Sequence, residues 1–241
     1  DQKWAKNQLK NIRQLSRKKH RQESGLFVAE GEKLVLELLD SGWKADQIYT
    51  TMPIQKKNHI RIDSHEMKKI SHLASASTIL GVFHLPQYDS NQIDQQEFSL
   101  VLDNVADPGN LGTIIRLCDW FGIKNLFCSP NTVDCFNPKV VQSTMGSIAR
   151  VRCHYVDILT LIDNCDAPVY AATLDGSSHY EESFPTQGLL VMGSESHGIS
   201  DALLEKIDHR ITIPSHNSGS GAESLNVAIA SAILLGEIFR P

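Results

Sequence analysis

The sequence of 241 residues lacks any apolar run long enough to cross a membrane. The longest such run, residues 227–235, is interrupted by Ser231 and falls well short of the roughly 18 residues that a membrane helix needs. The first residues are polar and basic, unlike a secretory signal. With 21% charged residues and no biased tract, a disordered chain is also excluded. We therefore expect a soluble, folded, cytoplasmic protein without a membrane partner.

The motifs of several common enzyme classes are missing as well. The five cysteines are an odd number without a C-x-x-C pair, which argues against a disulfide framework and a zinc ribbon. Neither G-x-G-x-x-G nor G-x-x-x-x-G-K-[ST] occurs, so dinucleotide-binding and P-loop proteins are not indicated. G-x-S-x-G and H-E-x-x-H are also absent, which leaves an esterase or a zinc protease without support.

Charge is distributed unevenly along the chain. The net charge is −5, yet residues 1–88 carry 15 Lys/Arg and 9 Asp/Glu, whereas residues 89–241 carry 8 and 19. The first 22 residues hold eight of the basic side chains against Asp1 alone. A basic N-terminal part suggests a polyanionic partner such as nucleic acid, because Lys and Arg bind phosphates. From charge alone, a basic arm that only aids solubility fits equally well.

The hydrophobic pattern predicts two domains of α/β class. Residues 27–85 alternate short apolar strands with helical segments, and the polar stretch 86–92 that follows is the best linker in the chain. From residue 99 strands and helices take turns, which predicts βαβ units and a mostly parallel sheet. We set the domains at 1–88 and 99–241, with a linker at 89–98. Ligands of such sheets bind beyond the carboxyl ends of the strands, here after Leu102, Met192 and Ile213.

The first of these loops, residues 103–110, leads into a predicted helix at 111–121. Arg116 on that helix is the only basic residue between Lys69 and Lys124. It is a candidate for binding a negative group, although an ion pair with Asp119 or Asp107 explains it as well.

The other two loops also contain polar candidates. Residues 193–200 place Glu195 between two glycines at a strand end, which allows close backbone approach to a ligand. Alternatively Glu195 only satisfies amides at a helix start. In the third loop we expect Ser224 to cap the last helix, predicted at 224–239. Asn226 would then lie in the first helical turn, where its low helix propensity suggests another use for its amide.

Taken together, the three loops resemble one family. N-x-x-D-P-G-N-L-G-x-I-x-R at 104–116, G-S-E-x-x-G-I at 193–199, and I-P followed by E-S-L-N-V at 213–227 are similar to the three motifs of the SpoU (TrmH-like) RNA 2′-O-methyltransferases of the SPOUT superfamily. Residues 17–31 resemble the small, ribosomal-protein-like substrate-binding domain of that family. The resemblance covers nearly the whole chain, although the loop at 215–223 is longer than the common family pattern.

This resemblance implies an activity and a set of functional residues. Members of the family transfer a methyl group from S-adenosylmethionine to a ribose 2′-hydroxyl of tRNA or rRNA. They form homodimers around a C-terminal trefoil knot, which composition and periodicity do not predict. The implied active-site residues are Asn110, Arg116, Glu195, Ser224 and Asn226. Those implied to lie against the cofactor are Leu174, Gly193, Ile213 and Leu225. For RNA binding we expect Arg17, Lys18, Lys19 and Arg21.

The chemistry requires few components. The cofactor already carries the activated methyl group, so we expect no metal. Arg116 is the catalytic residue that the family implies, but a guanidinium with a pKa above about 12 is a poor proton acceptor. Our hypothesis is that Arg116 stabilises the developing alkoxide and binds an adjacent phosphate. We expect Asn226 and Ser224 to position ribose and cofactor, and Asn110 and Glu195 to hold the loops and Arg116 in place.

Two other functions compete with this one. The chain could be a non-catalytic RNA-binding or ribosome-assembly factor that retains the fold. The polar residues present at every motif position argue against such a loss of catalysis. A methyltransferase that acts on a small molecule or a protein is disfavoured by the basic N-terminal part.

Overall fold

The structure is a computed structural model and describes residues 2–56, 58–89, 97–217 and 219–241. The chain forms two compact units, one of Asp1–Tyr88 with Asp134–Ala149 and one of Asp89–Val133 with Arg150–Pro241. Our predicted division at 1–88 and 99–241 differs in one segment, because residues 134–149 pack with the first unit. Most of the predicted linker 89–98 lies outside the described residues.

The helices and strands follow one another mostly as predicted. The helices are α1 (Gln2–Gln14), α2 (Lys18–Ser24), α3 (Glu32–Asp40), α4 (Ser64–Ile70), α5 (Pro108–Trp120), α6 (Pro138–Ser143), α7 (Ile158–Asp163), α8 (Asp201–Leu204) and α9 (Val227–Ile238). The strands are β1 (Leu26–Glu30), β2 (Ala45–Thr50), β3 (Ile60–Arg61), β4 (Ile79–His84), β5 (Phe98–Leu102), β6 (Asn125–Cys128), β7 (Arg152–Tyr155), β8 (Val169–Ser178), β9 (Gly188–Met192) and β10 (His209–Thr212).

The first unit contains a four-stranded sheet in the order β1-β4-β2-β3. Strand β4 is antiparallel to both β1 and β2, and β2 pairs with β3 in parallel. Helices α1 and α4 cover one face of this sheet, because the apolar side chains of α1 recur at helical spacing. Ile12 and Leu15 thereby join Tyr49 and Val82 in a single buried cluster.

The segment 134–149 belongs to the first unit because of its aromatic and ionic contacts. Phe136 packs on Phe27 with ring centroids 4.8 Å apart, and on Trp43 at 6.3 Å. Asp134 forms an ion pair with Arg21 at 2.7 Å. Sequence periodicity reports local structure only, so it does not reveal that this segment leaves the neighbouring βαβ pattern.

The second unit is built on a six-stranded sheet in the order β10-β8-β9-β5-β6-β7. Every neighbouring pair is parallel, which confirms the predicted α/β class and parallel sheet. The central strands β5 and β9 are buried throughout, as expected for strands covered on both faces. The carboxyl ends of β5 and β9 lie side by side, since Leu102 pairs with Met192. The trefoil knot stays a prediction.

The start of the last helix was predicted incorrectly. Helix α9 begins at Val227 and its N-cap is Asn226, whose side-chain oxygen accepts hydrogen bonds from the amides of Ala228 and Ile229. Ser224 is therefore not the cap, and Asn226 does not lie in the first turn. Asn and Ser cap helices about equally well, so propensity alone does not distinguish these two positions.

Candidate active site

The loop after β5 is held in place by its own polar groups. The carboxylate of Asp107 caps α5 by accepting a hydrogen bond from the amide of Asn110 at 2.9 Å. Pro108 occupies the first position of the helix, where its missing N–H costs no hydrogen bond. The Asn110 side chain is thereby carried on the first turn of α5, beyond the carboxyl end of the central strand.

Three of the predicted site residues meet in a closed triangle of hydrogen bonds. The amide nitrogen Nδ2 of Asn110 donates to Oε1 of Glu195 at 2.9 Å. Asn226 Nδ2 donates to Oδ1 of Asn110 at 2.9 Å and to the same oxygen of Glu195 at 3.0 Å. Since the three residues are distant in sequence, these contacts join the loops after β5, β9 and β10. We call this arrangement the polar triangle.

Glu195 in the polar triangle also marks the start of α9. Its Oε1 lies 3.4 Å from the backbone nitrogen of Val227, which donates to it. A carboxylate is favoured there, because the first amides of a helix are unsatisfied and the helix dipole is positive at that end. Glu195 thus satisfies helix amides, as the alternative proposed, and belongs to the site as well.

Arg116 is exposed on α5, less than two turns after Asn110. The alternative that it pairs with Asp119 or Asp107 is wrong. Asp119 is bound by Arg150 at 2.9 Å, and no hydrogen bond or ion pair joins Arg116 to the described part of the chain. Asn110 and Glu195 bond to each other and to Asn226, and neither bonds to Arg116 among the described residues. That they hold Arg116 in place stays a prediction. The guanidinium is consequently available to a bound ligand.

Ser224 lies outside the hydrogen-bonded triangle. It is exposed, two residues before Asn226, and its hydroxyl has no hydrogen-bond partner within the described ranges. Its neighbour Leu225 is 46% exposed. Both residues are placed to contact a ligand that approaches the start of α9.

Two of the residues predicted to bind the cofactor, Gly193 and Ile213, directly follow β9 and β10, whereas Leu174 lies within β8 and Leu225 just before α9. The backbone amides of Gly193, Ile213 and Leu225 have no hydrogen-bond partner in the part of the chain that the structure describes. Leu174 on β8 is 78% exposed, and its carbonyl accepts a hydrogen bond from the hydroxyl of Thr212 on neighbouring β10 at 3.4 Å. Unpaired amides beside exposed leucines suit a ligand with an apolar ring and polar edges, such as a nucleoside.

Nearby backbone atoms leave no room for a side chain at position 193. A side-chain carbon there would lie 2.2 Å from the backbone carbon of Gly198, so only glycine fits. Ser194 and Gly198 exchange two backbone hydrogen bonds, at 3.1 and 2.9 Å. This tight hairpin orients Glu195 toward the polar triangle and holds its own backbone in a fixed position.

One structural contributor to the site was missed by the sequence analysis. The buried carboxylate of Asp103 accepts a hydrogen bond from the amide of Ser200 at 2.8 Å. It thereby ties the loop after β5 to the end of the loop after β9. The available signal was an acidic residue directly after an apolar strand, where an unpaired charge is costly to bury.

The predicted RNA-binding residues divide into two groups. Arg17, Lys18 and Lys19 are exposed at the start of α2. Arg21 is 2% exposed and does not fit the role, because its guanidinium binds Asp134 and the carbonyl of Leu15 inside the unit. We assign Arg21 to the structural core and exclude it from the RNA-binding set.

Two further findings bear on possible partners. None of the described helices is long and apolar enough to span a membrane. Within the described ranges, no group of three or more His, Cys, Asp or Glu side chains is arranged to hold a metal ion. The expectation of a metal-free reaction stays a prediction.

Comparison with known proteins identifies the family. Residues 97–236 match the model of the SpoU rRNA methylase family, and residues 6–81 match an MRM3-like substrate-binding domain. The chain belongs to the SpoU family. This confirms the resemblance of the three loop motifs, and the matched region contains the whole polar triangle.

Individual relatives cover almost the full length of this SpoU-family chain. The 23S rRNA (guanosine(2553)-2′-O)-methyltransferase RlmP of Bacillus subtilis is 32% identical over 96% of both chains. A solved structure of an S-adenosylmethionine-bound rRNA methyltransferase from Sinorhizobium meliloti is 30% identical, with a TM-score of 0.86 over 96% of this chain and 94% of that one. A TrmH-family protein from Porphyromonas gingivalis is 38% identical, with a TM-score of 0.84 over 96% of both chains.

Proposed function

We propose that this protein transfers the methyl group of S-adenosylmethionine to a ribose 2′-hydroxyl of ribosomal RNA in the cytoplasm. The observation that carries the proposal is the polar triangle of Asn110, Glu195 and Asn226, joined through α5 to Arg116, which has no partner among the described residues. The names of its relatives support rRNA rather than tRNA as the first substrate to test. The RlmP name makes a guanosine of 23S rRNA the first target.

The residues around the strand ends fit the cofactor. The exposed side chains of Leu174 and Leu225 offer apolar surface to its adenine ring. The backbone amides of Gly193, Ile213 and Leu225, which have no partner among the described residues, offer donors to its polar groups. When bound, S-adenosylmethionine supplies a methyl group activated by a positively charged sulfur. The chain itself has to hold the ribose oxygen in line with that group and lower the energy of its deprotonation.

Arg116 has the properties needed to lower the energy of deprotonation of the ribose 2′-hydroxyl. A guanidinium is a poor proton acceptor, so Arg116, which has no partner within the described residues, acts as a donor and not as a base. It stabilises negative charge on the 2′-oxygen and binds a neighbouring phosphate through two parallel hydrogen bonds. The proton leaves to that phosphate or to water.

The polar triangle fixes the positions of the groups around the reacting atoms. Asn226 and Ser224 flank Leu225 and position the ribose and the cofactor from the start of α9. Asn110 and Glu195 bind Asn226 and so fix the distance between that helix start and the first turn of α5. Since Arg116 stands on the same helix α5, the triangle orients it through the helix rather than by direct contact.

An exposed apolar face on α5 and α9 supports a homodimer. Trp120 is 84% exposed, Ile229 53% and Ile233 37%, and α5 packs against α9 in the same unit. Isolated exposed apolar residues are common, but several large ones on two helices that pack together fit a protein interface. A second copy of the chain is the proposed partner at this face.

The first unit supplies the proposed contact with RNA. Its match to a substrate-binding domain and the exposed cations Arg17, Lys18 and Lys19 support this division of labour between residues 1–88 and 99–241. Phosphate contacts of this kind weaken steeply with added salt, so the Michaelis constant for RNA should rise with ionic strength.

The experiment that tests the function is transfer of labelled methyl from S-adenosylmethionine to unmodified 23S rRNA and to tRNA. Ribose methylation leaves alkali-resistant dinucleotides in the digested product. Arg116→Ala should remove most of the transfer, and Arg116→Lys should restore little, since lysine lacks the planar fork. Arg240→Ala, at a 71% exposed arginine outside the site, is the matched control. Cofactor binding without transfer to any RNA would favour a non-catalytic RNA-binding factor.

A further inference from the structure

The first unit contains a cavity of about 410 Å³ that takes no part in the proposed chemistry. Its walls come from α1, α2, β1, β2 and β4, and all of its lining residues except Val82 lie in the segment that matches a substrate-binding domain. The volume falls within the range of about 300–1,000 Å³ that is typical of small-molecule sites. The cavity is therefore large enough for one ring system of an RNA substrate.

Amides and carboxylates, together with His20 and Ser24, form the polar part of the lining. The amide side chains are Gln8, Asn11, Gln14 and Gln47, and the carboxylates are Glu23 and Asp46. Each amide offers both donors and an acceptor, whereas a carboxylate only accepts. No lysine or arginine is among the described residues that line the cavity, so the lining does not suit a phosphate. It suits a neutral ligand with both N–H groups and a carbonyl.

The floor of the cavity is apolar. Tyr49 is 4% exposed and Val82 is 3% exposed, and both belong to the buried core of the unit. Gln47 is paired in register with Val82 and lies two residues before Tyr49, so it projects from the same face of the sheet. Burial, and then the charge of Asp46, raise the pKa of Tyr49 to about 12, so its phenol stays protonated at neutral pH. An apolar floor below a polar rim fits a flat heteroaromatic ring.

We propose that this cavity binds one unpaired guanine base of the RNA substrate. Guanine presents a carbonyl and two kinds of N–H group on its pairing edge, which complement the amides and the carboxylates respectively. Proteins that recognise RNA by sequence bind unstacked bases through such edges. The inference rests on the proposed function, because it takes the ligand to be RNA.

A cation at the rim completes the match. Lys19 Nζ lies 3.9 Å from Oε1 of Glu23, which lines the cavity, and both side chains are largely exposed. A nucleotide whose base enters the cavity would therefore bring its phosphate close to Lys19. The base contact supplies specificity and the phosphate contact supplies affinity that depends on salt.

The test measures binding of the full chain to fluorescent RNA hexamers of constant charge. In one hexamer a single nucleotide carries guanine and the other five are abasic ribose; in the other all six are abasic. The guanine hexamer should bind at least about fivefold more tightly, the lower end of what one stacked base contributes. The double variant Asn11→Ala/Gln47→Ala should reduce this ratio below about twofold. Gln22→Ala, an exposed amide on α2 outside the lining, should leave it unchanged.

Each other result is decisive. Equal binding of both hexamers by the unchanged protein overturns the proposal, and so does a guanine preference that persists in the double variant, because the base then binds elsewhere. If the double variant fails to fold, as judged by circular dichroism, the same ratio is measured for the nearly isosteric Gln47→Glu, which should also lose the preference. Methyl transfer to 23S rRNA is measured in parallel. If the unchanged protein transfers methyl groups but does not prefer the guanine hexamer, only the cavity proposal is refuted; if the unchanged protein transfers none, the proposed function is refuted.

Discussion

Replacement of Arg21 by alanine should destabilise the first unit strongly. The guanidinium donates from Nη2 and Nε to Oδ2 of Asp134, at 2.7 and 3.1 Å, and from Nη1 to the carbonyl of Leu15 at 3.0 Å. The arginine side chain is 2% exposed and the aspartate 17%. Alanine at this position leaves a buried carbonyl without its donor and a largely buried carboxylate with only the amide of Phe136, at 3.3 Å, as a donor.

The expected cost follows from that burial. Removing one partner of a buried ion pair lowers the free energy of unfolding by about 3–5 kcal/mol, and the residual exposure of Asp134 places this pair near the lower figure. With a urea m-value of about 2 kcal/mol per M, a loss of about 3 kcal/mol shifts the unfolding midpoint by about 1.5 M. Replacement of both partners, as Arg21→Met/Asp134→Leu, should recover most of that loss, because no buried charge is left unpaired.

Urea unfolding followed by tryptophan fluorescence suits this measurement, since Trp43 lies 6.3 Å from Phe136 in the same unit. The matched control is Lys19→Ala, because the Lys19–Glu23 pair is 3.9 Å long and exposed, and such pairs contribute less than about 1 kcal/mol. A midpoint for Arg21→Ala within about 0.3 M of the control would refute the reasoning. Lost RNA affinity without lost stability would instead restore Arg21 to the RNA-binding set.

Three other predictions concern the second unit and the response to pH. Asn226→Asp keeps a good helix cap but sets a carboxylate about 3 Å from that of Glu195, so methyl transfer should fall at least about tenfold while circular dichroism shows α9 retained. Ile233→Glu on the exposed apolar face should convert a dimer into monomers in light scattering, and an unchanged mass would exclude this face as the interface. Burial lowers the pKa of His72 and His154 below 6.5, so the unfolded chain binds protons more readily below that pH. The contribution of these two histidines to the free energy of unfolding should be complete above pH 6.5 and should be lost as the pH drops below it. The loss should be smaller in His154→Gln.

The sequence was sufficient to predict the sheet of the second unit, and the reason lies in its periodicity. Strands buried on both faces, such as β5 and β9, are continuous apolar runs, and turns separate them from amphipathic helices. The packing of segment 134–149 could not be predicted from periodicity. Its helix α6 continues the alternation of strands and helices, but its packing beside Phe27 depends on contacts between residues more than a hundred positions apart.

The sequence predicted most of the residues that form the site, but not how their side chains contact one another. Motif spacing named Asn110, Glu195 and Asn226, yet it did not show that the three side chains bind one another. It also mistook Ser224 for the helix cap, because both residues have good capping side chains and only the backbone distinguishes them. Charge counts treated Arg21 like its neighbours, although a single buried carboxylate partner gives it a different role.

The double use of Asn226 links the folding of the last helix to the assembly of the site. Its Oδ1 caps α9, and its Nδ2 binds Asn110 and Glu195, so one side chain both begins the helix and closes the polar triangle. If α9 began at Ser224, Asn226 would lose its capping position and its amide would turn with the helix. The backbone amide of Leu225, immediately before this cap, has no hydrogen-bond partner among the described residues. The start of α9 therefore fixes the polar triangle and the proposed cofactor contacts at Leu225 together.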